Sequence, residues 1–306
     1  MKNKYKIGLI GLGSLGQHIA KRLLIEFNTL FVYDIDSNKM DMLCKDGAYK
    51  IENYEQSLIL CDFLLLALPS PSSILEVVNK IFVHRNNYNS KKYIIDLSTN
   101  SPAMVNKLYR FCKKRNCVYI DSPLTGGVMG AKHGTMTAMI GAEKDVIPII
   151  KPILKSFCKV IVNVGQSGHG SMTKLLHNML GEIQVYGIAE AFCFAESLGI
   201  DLDKFYEVLS NGMATSKILT ELYANGALID NYEAQASVLT AEKDQRLLLE
   251  FAKSKGVKLT FSNIVYAQIL KLLKKDLGGD DVTSAVKIYE NYYGVKIKKL
   301  NIVKSK

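Results

Sequence analysis

Six residues, "GLGSLG" from Gly11 to Gly16, constrain this chain more than any other feature. They follow the apolar run "KIGLIG" (Lys6 to Gly11) and open the helical pattern "SLGQHIAKRLLIEF". A second apolar run, "TLFVYD" (Thr29 to Asp34), ends in an acidic residue about 20 positions beyond the last glycine. A strand, a glycine-rich turn, a helix and an acidic strand end together specify a βαβ dinucleotide-binding unit. Gly11 permits the tight turn, Gly13 lets the backbone approach a pyrophosphate, and Gly16 lets helix and strand pack closely. Leu12, Ser14 and Leu15 complete the loop, and N–H groups at the helix start would hold phosphate. Asp34 is expected to accept hydrogen bonds from the adenosine ribose and to repel the extra phosphate of NADP. The expected cofactor is therefore NAD. Asp36 is better placed than Asp34 to cap the next helix.

The alternation continues. Further candidate strands are "DFLLLALP" (62–69), "KYIIDLS" (92–98), "CVYIDSP" (117–123), "TMTAMIG" (135–141) and "KVIVNVG" (159–165). Helical patterns such as "SSILEVVNKIF" and "SPAMVNKLYRFCKKR" lie between most of them. Such alternation implies a parallel sheet covered on both faces. After Gly165 the strand signals stop. One helical pattern runs from Ser167 to about Leu198 and ends at Gly199, as a C-terminal glycine cap requires. Three or more helices follow, including "DLDKFYEVLSNG", "LTAEKDQRLLLEFAKSKG" and "SNIVYAQILKLLKKDLG". The expected fold is α/β: a Rossmann-type, doubly wound, mostly parallel sheet followed by an all-helical C-terminal domain. The boundary is expected near residue 165, giving domains 1–165 and 166–306 joined by the long helix.

The net charge of +10 raises nucleic acid as a partner. The lysines are spread along the chain, however, with one clear run, "VKIKKLNIVKSK", at the end. No zinc-finger or RNA-recognition signature accompanies them, so no nucleic-acid partner is expected. The charge would instead draw anionic substrates to a cleft. No apolar run approaches the roughly 20 residues of a membrane helix, so no membrane partner is expected. The start "MKNKYKIGLIGLG" has the basic-then-apolar order of a signal peptide, but its short glycine-rich run reads better as a first strand. A cytoplasmic location is the expectation. The six cysteines show no zinc-site spacing and read as buried, reduced thiols, and no metal site is expected.

The stretch "GHGSMTKLLHNML" sets Lys174, His177 and Asn178 at i, i+3 and i+4 among apolar residues. In a helix these three polar groups are neighbours. Together with "GLGSLG", "LPSPSS", "DSPLTGGVMGAKHGTMTAMIGA" and "EKDQRLLLE", taken in that order, the chain resembles the β-hydroxyacid dehydrogenases over essentially its full length. Among them the 3-hydroxyisobutyrate type is the nearest in pattern. The resemblance implies that Thr125, Gly126 and Gly127 bind a substrate carboxylate through a hydroxyl and backbone N–H groups. It implies that Lys174 is the catalytic acid/base and that Asn178 orients the lysine or the substrate hydroxyl. Lys243 would lie near nicotinamide and substrate, with Asp244 pairing with it or organising its helix. Leu68, Pro69, Ser73 and Thr99 match positions near the cofactor. Physically, hydride loss from a hydroxyl-bearing carbon needs a base for the hydroxyl proton. Placement near the positive end of the long helix, partial desolvation and Lys243 nearby would all lower the lysine's pKa.

His177 departs from the 3-hydroxyisobutyrate type, which has asparagine there. Lysine, two residues, then His-Asn is similar to 6-phosphogluconate dehydrogenase, and His177 becomes a substrate-binding candidate. The leading expectation is hydride transfer between NAD and a small 3-hydroxy acid, with a semialdehyde product. A short-form decarboxylating 6-phosphogluconate dehydrogenase is one alternative, and a non-catalytic NAD-binding sensor or scaffold is another. Family habit implies a homodimer or homotetramer.

Overall fold

Short apolar runs between amphipathic stretches become strands between helices because each run buries both of its faces. The strand Phe63–Leu66 is buried at every position, and so is Lys92–Asp96. The structure is a computed structural model that describes residues 3–84 and 88–302. The last four residues of the C-terminal lysine run, and the first two of the signal-like start, lie outside the described residues. Two compact units divide the chain, residues 1–174 and 175–306.

The first unit carries strands β1 (Asn3–Ile10), β2 (Phe27–Tyr33), β3 (Tyr49–Lys50), β4 (Phe63–Leu66), β5 (Lys92–Asp96), β6 (Cys117–Asp121), β7 (Leu124–Thr125), β8 (Met136–Gly141) and β9 (Cys158–Gly165). Its helices are α1 (Gly16–Glu26), α2 (Ser37–Lys45), α3 (Tyr54–Leu60), α4 (Pro71–Ile81), α5 (Pro102–Lys113), α6 (Gly127–His133) and α7 (Ile147–Leu154). The strand order is β3-β2-β1-β4-β5-β6-β8-β7, with β9 beside β8. The first six strands are all parallel. This is the doubly wound Rossmann order, in which the crossover direction reverses between β1 and β4 and ligands bind beyond the strand ends there. The sheet departs from parallel only where β8 runs against β6 and β7.

Two apolar layers cover the sheet. One joins Ile7, Leu9, Ile19, Leu23 and Leu30 to Ile150 and Phe157. The other joins Ile10, Leu64, Leu66 and Ile94 to Ile74, Val105 and Leu108. Asp36 caps α2 as its sequence position suggested, its side chain accepting from the Asn38 N–H at 3.1 Å. The turn at Gly126 and Gly127 leads directly into α6, a helix hidden in the sequence by its own glycines.

The long helix α8 (His169–Ser197) crosses from the first unit into the second. It ends where expected, with Gly199 at φ +73°. The second unit continues with α9 (Leu202–Asn211), α10 (Val238–Ser254), α11 (Thr260–Leu273) and α12 (Val286–Tyr293). Between α9 and α10 the chain coils through a short π-turn and two 3-10 turns at residues 218–229. Phe192 and Tyr223, both fully buried, centre this unit's core. The Tyr223 hydroxyl donates to the Val185 carbonyl at 2.7 Å. All six cysteines are free thiols, five of them buried. Among the described residues no helix is long and apolar enough to cross a membrane.

Candidate active site

At the reversal point, the glycine loop shows why only glycine serves. Gly11 has φ +95°, and a Cβ there would overlap the Ala67 carbonyl at the end of β4. A Cβ on Gly16 would overlap the Gly11 carbonyl. Gly13, by contrast, has nothing within 4 Å of where its Cβ would project. Gly13 and Ser14 are exposed at the loop tip, and Leu15 precedes α1 without a side-chain cap. Asn53, Ser70 and Ser101 cap α3, α4 and α5. The start of α1, without a side-chain cap, and the open space at Gly13 fit a pyrophosphate.

Asp34 sits just past β2 and is 9% exposed. Its Oδ2 accepts from the Leu12 N–H at 2.6 Å, and its Oδ1 from the Asp36 N–H at 2.9 Å. The residue that was expected to hold ribose thus also pins the glycine loop. Lys39 lies 3.9 Å from Asp34 and 3.8 Å from Asp36, so it balances two carboxylates.

Leu68 and Pro69 follow β4, and the Leu68 N–H donates to the Ser98 hydroxyl at 2.9 Å. Ser73 lies in the first turn of α4, its hydroxyl 2.8 Å from that of Ser70, which caps the helix. Thr99 is half-buried in the loop after β5. Beneath that loop, Asp96 is fully buried and accepts from the Tyr119 hydroxyl at 2.5 Å and the Ser98 N–H at 3.0 Å. Burial raises its carboxyl above the ordinary value. Ser98 and Asp96 went unnoticed in the sequence, where they read as strand-end polar residues.

Thr125 is half-buried and ends β7, and Gly126 and Gly127 are exposed with φ +124° and +61°. Those angles turn the chain sharply before α6, a conformation open to glycine and strained for other residues. Lys174 is half-buried and is the sixth residue of α8. The start of α8 holds a group that the sequence reading missed. Asp121, 1% exposed at the end of β6, accepts from the N–H groups of Gly168 and Ser171 at 2.8 Å each. While ionised, this carboxylate offsets the positive helix end that was expected to act on Lys174.

In the second unit His177, Asn178, Asp244 and Lys243 form a chain. The Asn178 Nδ2 donates to Asp244 Oδ2 at 2.6 Å, and its Oδ1 lies 3.1 Å from His177 Nδ1. Since a carboxylate only accepts, this fixes the amide's orientation and makes His177 Nδ1 the protonated nitrogen. Lys243 Nζ lies 3.1 Å from Asp244 Oδ1, with Asp244 almost wholly buried. Asp244 therefore both pairs with Lys243 and holds Asn178. Among the described residues no group of three or more His, Cys, Asp or Glu side chains could hold a metal.

A Rossmann sheet with this loop, followed by a helical unit carrying a lysine–amide–carboxylate set, defines a dinucleotide-dependent oxidoreductase. Residues 6–165 match the model of the NAD binding domain of 6-phosphogluconate dehydrogenase. Residues 168–289 match the model described as NAD-binding of NADP-dependent 3-hydroxyisobutyrate dehydrogenase. The chain is 26% identical to 2-(hydroxymethyl)glutarate dehydrogenase of Eubacterium barkeri, covering 97% of this chain and 99% of that one. It is 28% identical to 2-hydroxy-3-oxopropionate reductase of Escherichia coli, covering 83% and 86%. The fold matches that of Mycobacterium tuberculosis 3-hydroxyisobutyrate dehydrogenase with L-serine, at a TM-score of 0.83 and 19% identity, covering 94% and 99%. The chain belongs to the β-hydroxyacid dehydrogenase family and is an NAD(P)-dependent hydroxyacid dehydrogenase. That membership removes the non-catalytic scaffold from consideration.

Proposed function

We propose that the chain interconverts a small 3-hydroxy acid and its semialdehyde with NAD, using Lys174 as general acid/base. The observation that carries the reading is the joint at Asp121. One strand end leads into the Thr125–Gly127 turn and also holds the first turn of the helix bearing Lys174. Thr125, Gly126 and Gly127 take the substrate carboxylate through the hydroxyl and N–H groups exposed by the glycine conformations. Lys174 takes the hydroxyl proton during oxidation and returns it to the carbonyl oxygen during reduction. Asn178, its amide oriented by Asp244, is assigned to orient the lysine or the substrate hydroxyl, and Lys243 keeps the role near nicotinamide and substrate that the family pattern gives it. Bound NAD supplies the acceptor for the departing hydride.

The preference for NAD is supported by the Asp34 carboxylate just past β2, which would repel a 2′-phosphate, with Lys39 engaged by Asp34 and Asp36 rather than free to attract one. A homodimer or homotetramer completes the proposal. The test is reduced-nicotinamide absorbance with purified protein, either nucleotide, and a panel of 3-hydroxyisobutyrate, 3-hydroxybutyrate, serine, tartronate semialdehyde and 6-phosphogluconate. Turnover of a small 3-hydroxy acid that disappears in Lys174→Ala supports the reading, and near-normal turnover in that variant overturns the mechanism. Turnover of 6-phosphogluconate favours the second reading, for which His177 beside Asn178 is the supporting observation.

A further inference from the structure

The buried carboxylate of Asp121 is closely surrounded where β6 ends. It takes two of the N–H groups that the start of a helix leaves without partners. Gly168, at φ +92°, bends the chain so that both N–H groups converge on it. A Cβ on Gly170 would lie 2.9 Å from its Oδ2, 2.8 Å from its backbone carbonyl and 2.5 Å from the Met139 carbonyl of β8. On the other side, a Cβ on Gly141 would overlap Oδ1. Two elements, β8 and α8, thus close on the carboxylate that ends β6, with glycine at each point of approach. Lys174 follows Ser171 by one helical turn in the same unit.

We propose that Asp121 is a positioning residue that locks the first turn of α8 and so fixes Lys174 relative to the substrate turn, which follows β6 by way of the short β7. The inference rests on the reading of Lys174 as the acid/base. Asp121 touches neither substrate nor cofactor in this role. It acts through the helix, whose first turn it holds by two hydrogen bonds that are charge-assisted while the carboxylate is ionised.

The test is Asp121→Asn, which keeps the shape but turns an amide N–H toward one of the two helix N–H groups. The kcat is expected to fall about ten- to a hundredfold, the cost of a small misplacement at the reacting centre. Nucleotide affinity, read by titration without substrate, should stay within about twofold, because the glycine loop is untouched. A deuterium label on the oxidised carbon should give a larger isotope effect on kcat than in the parent, as the chemical step becomes limiting. An unchanged kcat overturns the proposal, as does an equal loss of kcat and nucleotide affinity, which marks general unfolding. Should Asp121→Asn fail to fold, Gly170→Ala decides, because its Cβ would press on the Met139 and Asp121 carbonyls and on the same carboxylate, shifting the first turn of α8. Lost kcat with retained nucleotide affinity supports the proposal, and any other pattern overturns it. Lys174→Ala run alongside separates the two levels. If it retains turnover, the acid/base reading fails; if it is dead while Asp121→Asn is normal, only the positioning role fails.

Discussion

Replacing Asp34 by serine tests two roles of one carboxylate. In the parent, Oδ2 accepts from the Leu12 N–H at 2.6 Å, with Leu12 1% and Asp34 9% exposed. A serine hydroxyl, one atom shorter, cannot reach that N–H and the Asp36 N–H together. Losing a charge-assisted bond to a buried N–H costs about 1.5–3 kcal/mol. The Lys39 contact at 3.9 Å adds little, since that lysine is 44% exposed. Urea unfolding without nucleotide should therefore show a loss of about 2 kcal/mol. The second role concerns nucleotide choice. The ribose loses an acceptor and the 2′-phosphate loses a repelling charge, so the NAD-to-NADP ratio of kcat/KM should fall at least about tenfold, about 1.4 kcal/mol. Steady-state rates with both nucleotides measure it. An undiminished preference for NAD refutes the assignment of Asp34 to the ribose, and an undiminished stability refutes its role in pinning the loop.

The last two glycines of the loop should separate folding from binding. Gly16→Ala drives a Cβ into the Gly11 carbonyl and should abolish nucleotide binding by calorimetric titration, with a lowered melting temperature. Gly13→Ala meets nothing within 4 Å and should melt as the parent does while binding NAD at least about tenfold more weakly. Burial pushes the Asp121 carboxyl from 3.8 up to about 6, against the pull of the Gly168 and Ser171 N–H groups. The folded chain therefore keeps a proton that the unfolded chain has lost, and stability falls as pH rises from about 4 to about 6, by about 3 kcal/mol. Unfolding curves across that window should flatten in Asp121→Asn, which also removes the Asp121 charge from its cross-strand neighbour Asp96. In the second unit, Tyr223→Phe leaves the core filled but removes the bond to the Val185 carbonyl, and chemical unfolding should register about 1 kcal/mol.

What could be read from the sequence was written in local chemistry. The apolar runs that became β1, β2, β4, β5 and β6 lie within a few residues of their expected bounds, because burial on both faces demands continuous apolar residues. The glycine loop announces itself because three positions within six residues need glycine for separate reasons. α8 ends where Gly199 can take a left-handed conformation. Other features escaped for equally physical reasons. α6 opens on Gly126 and Gly127, which read as a turn alone, and β3 and β7 are two residues long, too short to show a period. The reversal of β8 carries no mark in its own residues, since an apolar strand looks the same in either direction.

Around the site the division is sharper. Helical spacing makes Lys174, His177 and Asn178 neighbours, the family pattern makes them candidates, and Asp34 is a candidate by its place at a strand end. The partners that orient them do not announce themselves. Asp121 reaches the N–H groups of α8 across 47 and 50 residues, and Asp244 reaches Asn178 across 66. Sequence by itself determined which backbone turns were possible and which runs had to be buried, because φ angles and side-chain period depend on nearest neighbours. Only the tertiary structure decided which carboxylate holds which N–H. That choice depends on where chain segments far apart in sequence come to rest, and a buried aspartate looks the same in the sequence whatever it is destined to hold.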